Sequence, residues 1–575
     1  MAERPWESQY PDGVNWHIDI AARPVQALLD TAAQEAPDQI LCEFLGREFT
    51  VREIAAESDR VATGLQAMGV GKGVHVGLLL PNMPQYITCL FGILKAGGTV
   101  VNYSPLLAEQ ELIYQIDDSE TRIMITISAM SVLPNLIKAM PQTGLEKVVV
   151  CAFAEVLPFP KGLLYKLLKA KDISPLPADP AYVRYDELIS NDGGHETPPL
   201  GDLTEEVAVL QYTGGTTGTP KGAMLTHANL TATNTIYGEW SVQFDIGKSG
   251  IDRTLLVLPL FHIFGLSAVL LGCIRDRTQV ILHPIPDIDR IIDDVRTKKP
   301  TVLPGVPTLF TAIANHPKAA ATDFSALQYC VSGGAPLPNE VQERFGQVTG
   351  VRLYEGYGLT ESSPAATGQV RDAAPRQGSC GVPLPATDLE IRSLDDGTTV
   401  MPTGEIGEVC IKGPQVMKGY WKRPDESADA LRNGWLHTGD TGYLDDDGYV
   451  FLVDRSKDLI ISSGFNVYPR HVEEAIYQHP AIGAVTVIGI PDDYRGEAAK
   501  AFVELRDGQS LRLDELLEFL GDKLAKYALP VAMEIRDELP RTPVGKLSKK
   551  ELVAEEKAKA AAAPDASDTA DAAGD

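Results

Sequence analysis

Tyr212 to Gly222 reads YTGGTTGTPKG, with four Gly, four Thr, one Pro and one Lys. So little side-chain bulk lets the backbone come close to a ligand. Free N–H groups and Thr hydroxyls supply donors, and Lys221 supplies a fixed positive charge. That is equipment for holding phosphate. An apolar run, Val207 to Gln211, enters it and reads as a buried strand. A flexible linker would rarely follow a core strand or end in Pro-Lys-Gly. It is not a Walker loop, which needs Ser or Thr after the Lys, where Gly222 stands. Two later stretches repeat the theme. LQYCVSGGAPLP (Leu327 to Pro338) runs a strand into Gly333-Gly334. VRLYEGYGLTES (Val351 to Ser362) breaks at Gly356 and Gly358, with Thr360 and Glu361 just beyond. Strands ending in Gly-rich polar loops fit the rule that open α/β sheets bind ligands at their strand ends. His262, in PLFHIFG, is a lone His in an apolar run, more often a satisfied core residue. Its place between the phosphate loop and the Gly333 turn points it to the site. RTPVGKLSKKEL (Arg541 to Leu552) puts Lys546 in a Pro/Gly-flanked loop expected to be exposed.

These residues need a scaffold. The chain has 575 residues, enough for more than one domain. Helical spacing at Pro24 to Gln34 and Val51 to Met68 precedes strand Val74 to Asn82, helix Pro84 to Gly97 and strand Thr99 to Ser104. The rhythm continues through Arg122 to Ser128 and Lys147 to Phe153, implying parallel sheets covered on both faces. Thr254 to Ile274 is long enough to span a membrane. Pro259, His262 and Gly265 interrupt it, so we read a strand (Leu255 to Leu258), a tight loop and a buried helix. Gln377 to Asp454, dense in Gly, Pro and Asp, reads as a small β subdomain. Asp454 to Pro469 looks like a hinge-bearing boundary. Beyond it lies a compact α+β domain of about a hundred residues, a common size. Ala554 to Asp575 is low-complexity and expected to be a disordered tail.

The net charge of −27 argues against nonspecific nucleic-acid binding. Seven scattered Cys read as reduced, mostly buried cytoplasmic thiols. The first residues show no secretory signal. Leu157 to Lys171 departs from the acidic background. Leu163, Leu164, Leu167 and Leu168 share one helical face, with Lys161, Lys166, Lys169 and Lys171 around it. It could rest on an anionic membrane surface, or be a solvated helix packed on its own domain.

YTGGTTGTPKG, YEGYGLTES, LHTGD (Leu436 to Asp440), VDRSKD (Val453 to Asp458) and PRTPVGK (Pro540 to Lys546) occur in the order seen in the adenylate-forming superfamily. The resemblance runs from about Pro24 to about Leu552. Asn433 to Lys457 is similar to the fatty acyl-CoA synthetase signature, with Asn433 where that signature usually has Asp. The resemblance implies a large N-terminal α/β domain, residues 1–454, hinged to a mobile α+β domain, residues 455–553. It implies ATP, Mg²⁺ and coenzyme A. Acid and ATP give an acyl-adenylate and pyrophosphate; CoA then takes the acyl group. Thr213, Gly214, Gly215, Thr216, Thr217, Gly218 and Lys221 would hold the β- and γ-phosphates. Tyr357 would stack on adenine, lined by Gly333, Gly334 and Ala335, with Glu355, Gly356 and Gly358 in the same turn. Thr360 would contact phosphate and Glu361 would ligate Mg²⁺. Asp440 would accept from the ribose hydroxyls, with Arg455 assisting. His262 would lie beside the acyl carboxylate. Lys546 would bridge carboxylate and α-phosphate, Lys457 would be the hinge, and Gly464 would line the pantetheine tunnel.

Other readings are weaker. Acyl-AMP ligases carry an insertion after the hinge that is missing here. Amino-acid-activating domains place an Asp near the start of PLFHIFG. Luciferase-type oxygenation is a rare specialisation. A lipid-binding or fatty-acid uptake protein with a vestigial ligase fold would not need Lys221, Glu361, Asp440 and Lys546 together. Medium-chain, dicarboxylic and aryl acids stay open as substrates, and a homodimer stays open as the assembly.

Overall fold

The computed structural model describes residues 4–213, 219–246, 252–374, 376–455, 458–462, 465–492, 495–521, 523–542 and 545–562. The chain divides into two compact units. The larger runs to Thr438 and takes in Tyr443–Leu452; the smaller takes Gly439–Gly442 and the chain from Val453. Gly439–Gly442 thus groups with the C-terminal part, unlike the expected 1–454 division. The reason is local: Asp440, in that segment, is ion-paired with Arg455.

Two mostly parallel sheets build the larger unit. One, with nine strands among the described residues, centres on the neighbours Leu353–Tyr357, Tyr329–Ser332, Val302–Gly305, Arg253–Leu256 and Gln279–Leu282. The other, with eight, centres on Val207–Thr213, Thr99–Asn102, His75–Leu79, Thr121–Ile127 and Lys147–Cys151. These core strands are buried along most of their length, as continuous apolar runs require. Helix Val51–Ala67 starts at a capping box, in which the Glu53 N–H donates to Thr50 Oγ1 and the Glu53 carboxylate accepts from the Thr50 N–H. Helix Pro84–Lys95 begins on Pro, is buried throughout and is followed by Gly97 at φ +85°. Its terminal Lys95 is paired with Asp30 and Asp59, so the buried charge is matched.

The interrupted apolar run folds as strand Arg253–Leu256, a loop, then a helix from Phe264. That helix has wide π geometry over Phe264–Leu271 before Gly272–Asp276. No described helix is long and apolar enough to cross a membrane. The small β sheet comprises Asp388–Arg392, Gly407–Lys412, Trp435–Leu444 and Leu431–Arg432, with Val450–Arg455 also paired to Trp435–Leu444. Leu431 pairs with Leu436 and Arg432 with Trp435, which leaves Asn433-Gly434 as a two-residue turn with φ +54° and +76°. Asn adopts that left-handed conformation readily, so its replacement of Asp is a turn choice.

The smaller unit pairs the long strands Ile482–Asp492 and Gly496–Leu505. Helices Pro469–Tyr477 and Leu513–Leu520 pack Val472, Ile476, Leu516 and Leu520 into its core. The expected tail is corrected in part. Helix Lys549–Ala562 continues past Ala554. Its run of Ala, Glu and Lys favours helix, Leu552 is fully buried, and Glu556 pairs with Lys500. Residues 563–575 lie outside the described part. All seven Cys are buried free thiols.

Candidate active site

The phosphate-loop stretch is a hairpin. Strands Val207–Thr213 and Lys221–Thr226 run antiparallel, with Thr213 and Lys221 as register partners. A Walker loop joins a strand to a helix instead. Gly214, Gly215, Thr216, Thr217 and Gly218 lie outside the described residues. Both arms of the hairpin are tied to one strap, residues 417–426. Gly419–Tyr420 pairs with the Lys221 strand, and the Trp421 N–H donates to Gly222 O at 2.8 Å. Asp118 accepts from Tyr212 at 2.6 Å and from Arg423 at 3.1 Å. Tyr114 OH donates to Pro220 O at 2.9 Å.

The strap also holds the two groups expected to do electrostatic work. Lys221 Nζ is ion-paired with Glu426 and lies 5.2 Å over the Tyr420 ring. Tyr420 OH donates to Glu361 at 2.7 Å, and the Met417 N–H donates to Glu361 O at 2.8 Å. Burial, then the Glu361 charge, pushes the Tyr420 phenol up, so it stays a donor to that carboxylate. Sequence reasoning missed Asp118, Tyr114, Tyr420, Arg423 and Glu426. The available signal was KGYWKRPDE, which interleaves aromatic and charged residues in a stretch read as part of the small β subdomain, whereas Gly419–Tyr420 joins the eight-stranded sheet.

In the other sheet, Gly305 is in register with Ser332, and Ser332 with Glu355, so the following loops open on one edge. The Gly333 N–H donates to Gly305 O at 3.1 Å, and Gly334 has φ +79°. A Cβ on Gly358 would lie 1.4 Å from Pro364 O, so only Gly fits that turn. Ala335, Gly356, Tyr357, Thr360 and Glu361 are half-buried, open to a ligand. Glu355 is different: it is buried, and its carboxylate accepts from the Leu337 N–H at 3.1 Å. It ties the Gly333 loop to the Tyr357 strand from behind.

His262 sits in the loop after Arg253–Leu256, half-buried, with Nδ1 accepting from the Phe264 N–H at 3.3 Å. A buried amide network from the other sheet fixes this loop. Asn82 donates to Leu258 O at 2.9 Å and accepts from the Leu260 N–H at 2.7 Å. Tyr86 donates to Leu260 O at 2.8 Å, and Gln211 to Phe261 O at 2.9 Å. Gln211 stands two residues before Thr213, so His262 and the phosphate hairpin share one anchor. A Cβ on Gly265 would lie 2.4 Å from Pro259 O, which makes Gly necessary at the loop's exit.

The smaller unit holds a second set. Asp440 is buried and accepts from Arg455 Nε at 3.1 Å. Lys546 lies in a turn whose Thr542 N–H donates to Lys546 O at 2.7 Å, with Gly545 at φ +82°. The expectation of an exposed Lys546 is corrected: it is half-buried. Burial, with the Arg455 charge adding to it and Asp440 opposing, pulls its ammonium down to about 8. Lys457 and Gly464 fall outside the described residues.

Glu361 suits Mg²⁺, a hard ion that takes one or two carboxylates together with phosphate and water oxygens. Tyr420 occupies one carboxylate oxygen and the residue stays half-open. Glu408, Cys410 and His437 also converge. Arg432 lies 2.8 Å from His437 Nδ1, however, and its guanidinium makes that cluster a poor cation site.

Residues 29–421 match the family described as AMP-binding enzyme, and residues 471–546 its C-terminal domain. The chain is 39% identical to the long-chain-fatty-acid–CoA ligase of Bacillus subtilis, covering 97% of this chain and 99% of that one. It is 36% identical to the long-chain-fatty-acid–CoA ligase of an Escherichia coli strain, covering 96% and 98%. The ATP-bound crystal structure of MatB from Rhodopseudomonas palustris superposes with TM-score 0.81 at 28% identity, covering 92% and 99%. The two matched segments hold, in order, the phosphate hairpin, Glu361, the strap as far as Trp421, and Lys546, and the chain belongs to the AMP-binding enzyme family.

Proposed function

We propose that the chain joins a long-chain fatty acid to coenzyme A at the expense of ATP, releasing AMP and pyrophosphate. The observation that carries this is the pairing of two cationic centres with carboxylates in one chain: Lys221 on Glu426 of the strap that also holds Glu361, and Lys546 near Asp440 and Arg455. Likeness over nearly the whole length to proteins named long-chain-fatty-acid–CoA ligase supports the substrate class.

In the first step a carboxylate oxygen attacks the α-phosphorus of ATP, and the bond to the β-phosphate oxygen breaks. Two anions must meet, so fixed cations lower the barrier. Lys221 and the hairpin N–H groups hold the leaving pyrophosphate. Lys546 bridges carboxylate and α-phosphate, Asp440 keeps the ribose, and Tyr357 the adenine. His262 fixes the acyl carboxylate, and Thr360 contacts phosphate. Glu361 would hold Mg²⁺, which neutralises phosphate charge. In the second step the CoA thiolate attacks the acyl carbon and the bond to AMP breaks. Lys546 must leave the adenylate for this, and we assign the pivot to Lys457 and the pantetheine wall to Gly464.

The protein works in the cytoplasm, peripheral on the inner face of a membrane, where its acid partitions. Its free, buried thiols support a reducing compartment. The test is an acid series of increasing length, with dicarboxylic and aryl acids included, supplied with ATP and CoA. Thioester, AMP and pyrophosphate should form together, fastest with long chains. A maximum on an aryl acid would move the substrate class; the 36% identical feruloyl-CoA synthase of an Amycolatopsis species makes that comparison necessary.

A further inference from the structure

Helix Lys161–Leu168 buries none of its residues. Five large apolar side chains stand out within ten residues: Phe159 at 91% exposure, Leu163 at 57%, Leu164 at 47%, Leu167 at 68% and Leu168 at 74%. No other ten-residue stretch of the described residues exposes more than two such side chains. Scattered apolar residues are normal on a surface, but a contiguous patch marks an interaction site.

The helix is held firmly by its other face. A Cβ on Gly162 would lie 2.5 Å from Ala154 O, so Gly162 permits close seating on Phe153–Val156. The Tyr165 ring lies 5.2 Å from Phe153, which in turn lies 5.7 Å from Phe44. Lys161 Nζ donates to Leu45 O at 3.0 Å. With 100° between successive residues, Gly162 and Tyr165 share the seated side, while Leu163, Leu164, Leu167 and Leu168 share the outer side. Lys161 and Lys166 flank the leucines, and exposed Lys169 and Lys171 follow at the end.

We propose that this face is a docking surface for an anionic lipid bilayer, with the helix lying in the membrane plane. The leucines and Phe159 enter the headgroup–acyl boundary while Lys166, Lys169 and Lys171 meet lipid phosphate, as amphipathic interfacial helices do. Charge complementarity selects the occupant. A second copy would meet this patch with its own lysines, since a twofold contact brings like faces together. An anionic bilayer attracts the lysines and repels the rest of a chain whose net charge is −27. That opposition favours approach by this face. One short helix binds weakly and reversibly, which suits an enzyme that collects a membrane-dissolved acid and releases a water-soluble product. That last link rests on the fatty-acid reading above; the docking does not.

The experiment uses the full chain with phosphatidylcholine vesicles, with and without phosphatidylglycerol. The wild type should co-sediment with anionic vesicles about tenfold more than with neutral ones, and salt should release it. The triple variant Leu164→Ser, Leu167→Ser, Leu168→Ser should lose binding. The double variant Lys166→Glu, Lys169→Glu should lose the preference for anionic lipid. Phe159→Trp should show blue-shifted emission on anionic vesicles. No co-sedimentation of the wild type, equal co-sedimentation of the variants, or an unshifted Trp would each overturn the proposal. ATP–pyrophosphate exchange with octanoate should be the same in all variants, which shows that they are folded. Exchange missing from the wild type, with vesicle binding intact, would sink the ligase reading and leave the docking surface standing.

Discussion

Lys221 is already neutralised before any phosphate arrives, because Glu426 holds it. A nucleotide must displace that carboxylate. Replacing Glu426 by Gln should therefore lower KM for ATP about two- to threefold at unchanged kcat, the range of a part-exposed ion pair. A raised KM would mean that Glu426 belongs to the nucleotide site itself. We assign the pH dependence to Lys546. Its proton is lost at about 8 in the folded free enzyme instead of 10.5, because burial disfavours the charge. The rate of ATP–pyrophosphate exchange should thus fall with one proton as pH rises through about 8, and Lys546→Arg should remove that limb. For stability, the unfolded chain binds the extra proton between about 8 and 10.5, so this group's contribution rises with pH across that window. At this scale the sequence was informative where a motif named a residue, as for Lys221, Glu361 and Lys546. It was silent where a contact spans hundreds of positions: Asp118 meets Arg423 only because a strand pairing brings their segments together.

Elements place these residues through buried amides as well as apolar packing. Asn82 satisfies one carbonyl and one N–H of the His262 loop. Asn82→Leu would leave both buried and unpaired, costing roughly 2–4 kcal/mol. It should lower the denaturant midpoint and slow the exchange reaction; an unchanged midpoint would show that the loop is held otherwise. Strands and helices with clear periodicity were legible before the structure, including helix Pro84–Lys95 with its Pro and Gly ends and the strands entering each Gly-rich turn. Two features were not. The π geometry of Phe264–Leu271 leaves no mark on an all-apolar run. The strap was hidden because its two-residue strand, Gly419–Tyr420, is too short to show a period.

At the scale of the whole chain, the residues expected to act first are divided between two units, each with its own core. Contact, unlike chain order, groups Asp440 with Arg455. The division also gives the two half-reactions separable residues. Gly464→Leu should spare adenylation and impair thioester formation, read as normal ATP–pyrophosphate exchange with reduced acyl-CoA. The central claim is that Lys546 serves adenylation alone. The direct measurement compares Lys546→Ala with wild type in both half-reactions, exchange without CoA and thioester formation from supplied acyl-adenylate. Exchange should fall by about a thousandfold, as for loss of a transition-state cation, with thioester formation within a factor of about three, the scatter of an uninvolved group. Equal loss in the two reactions would contradict the account.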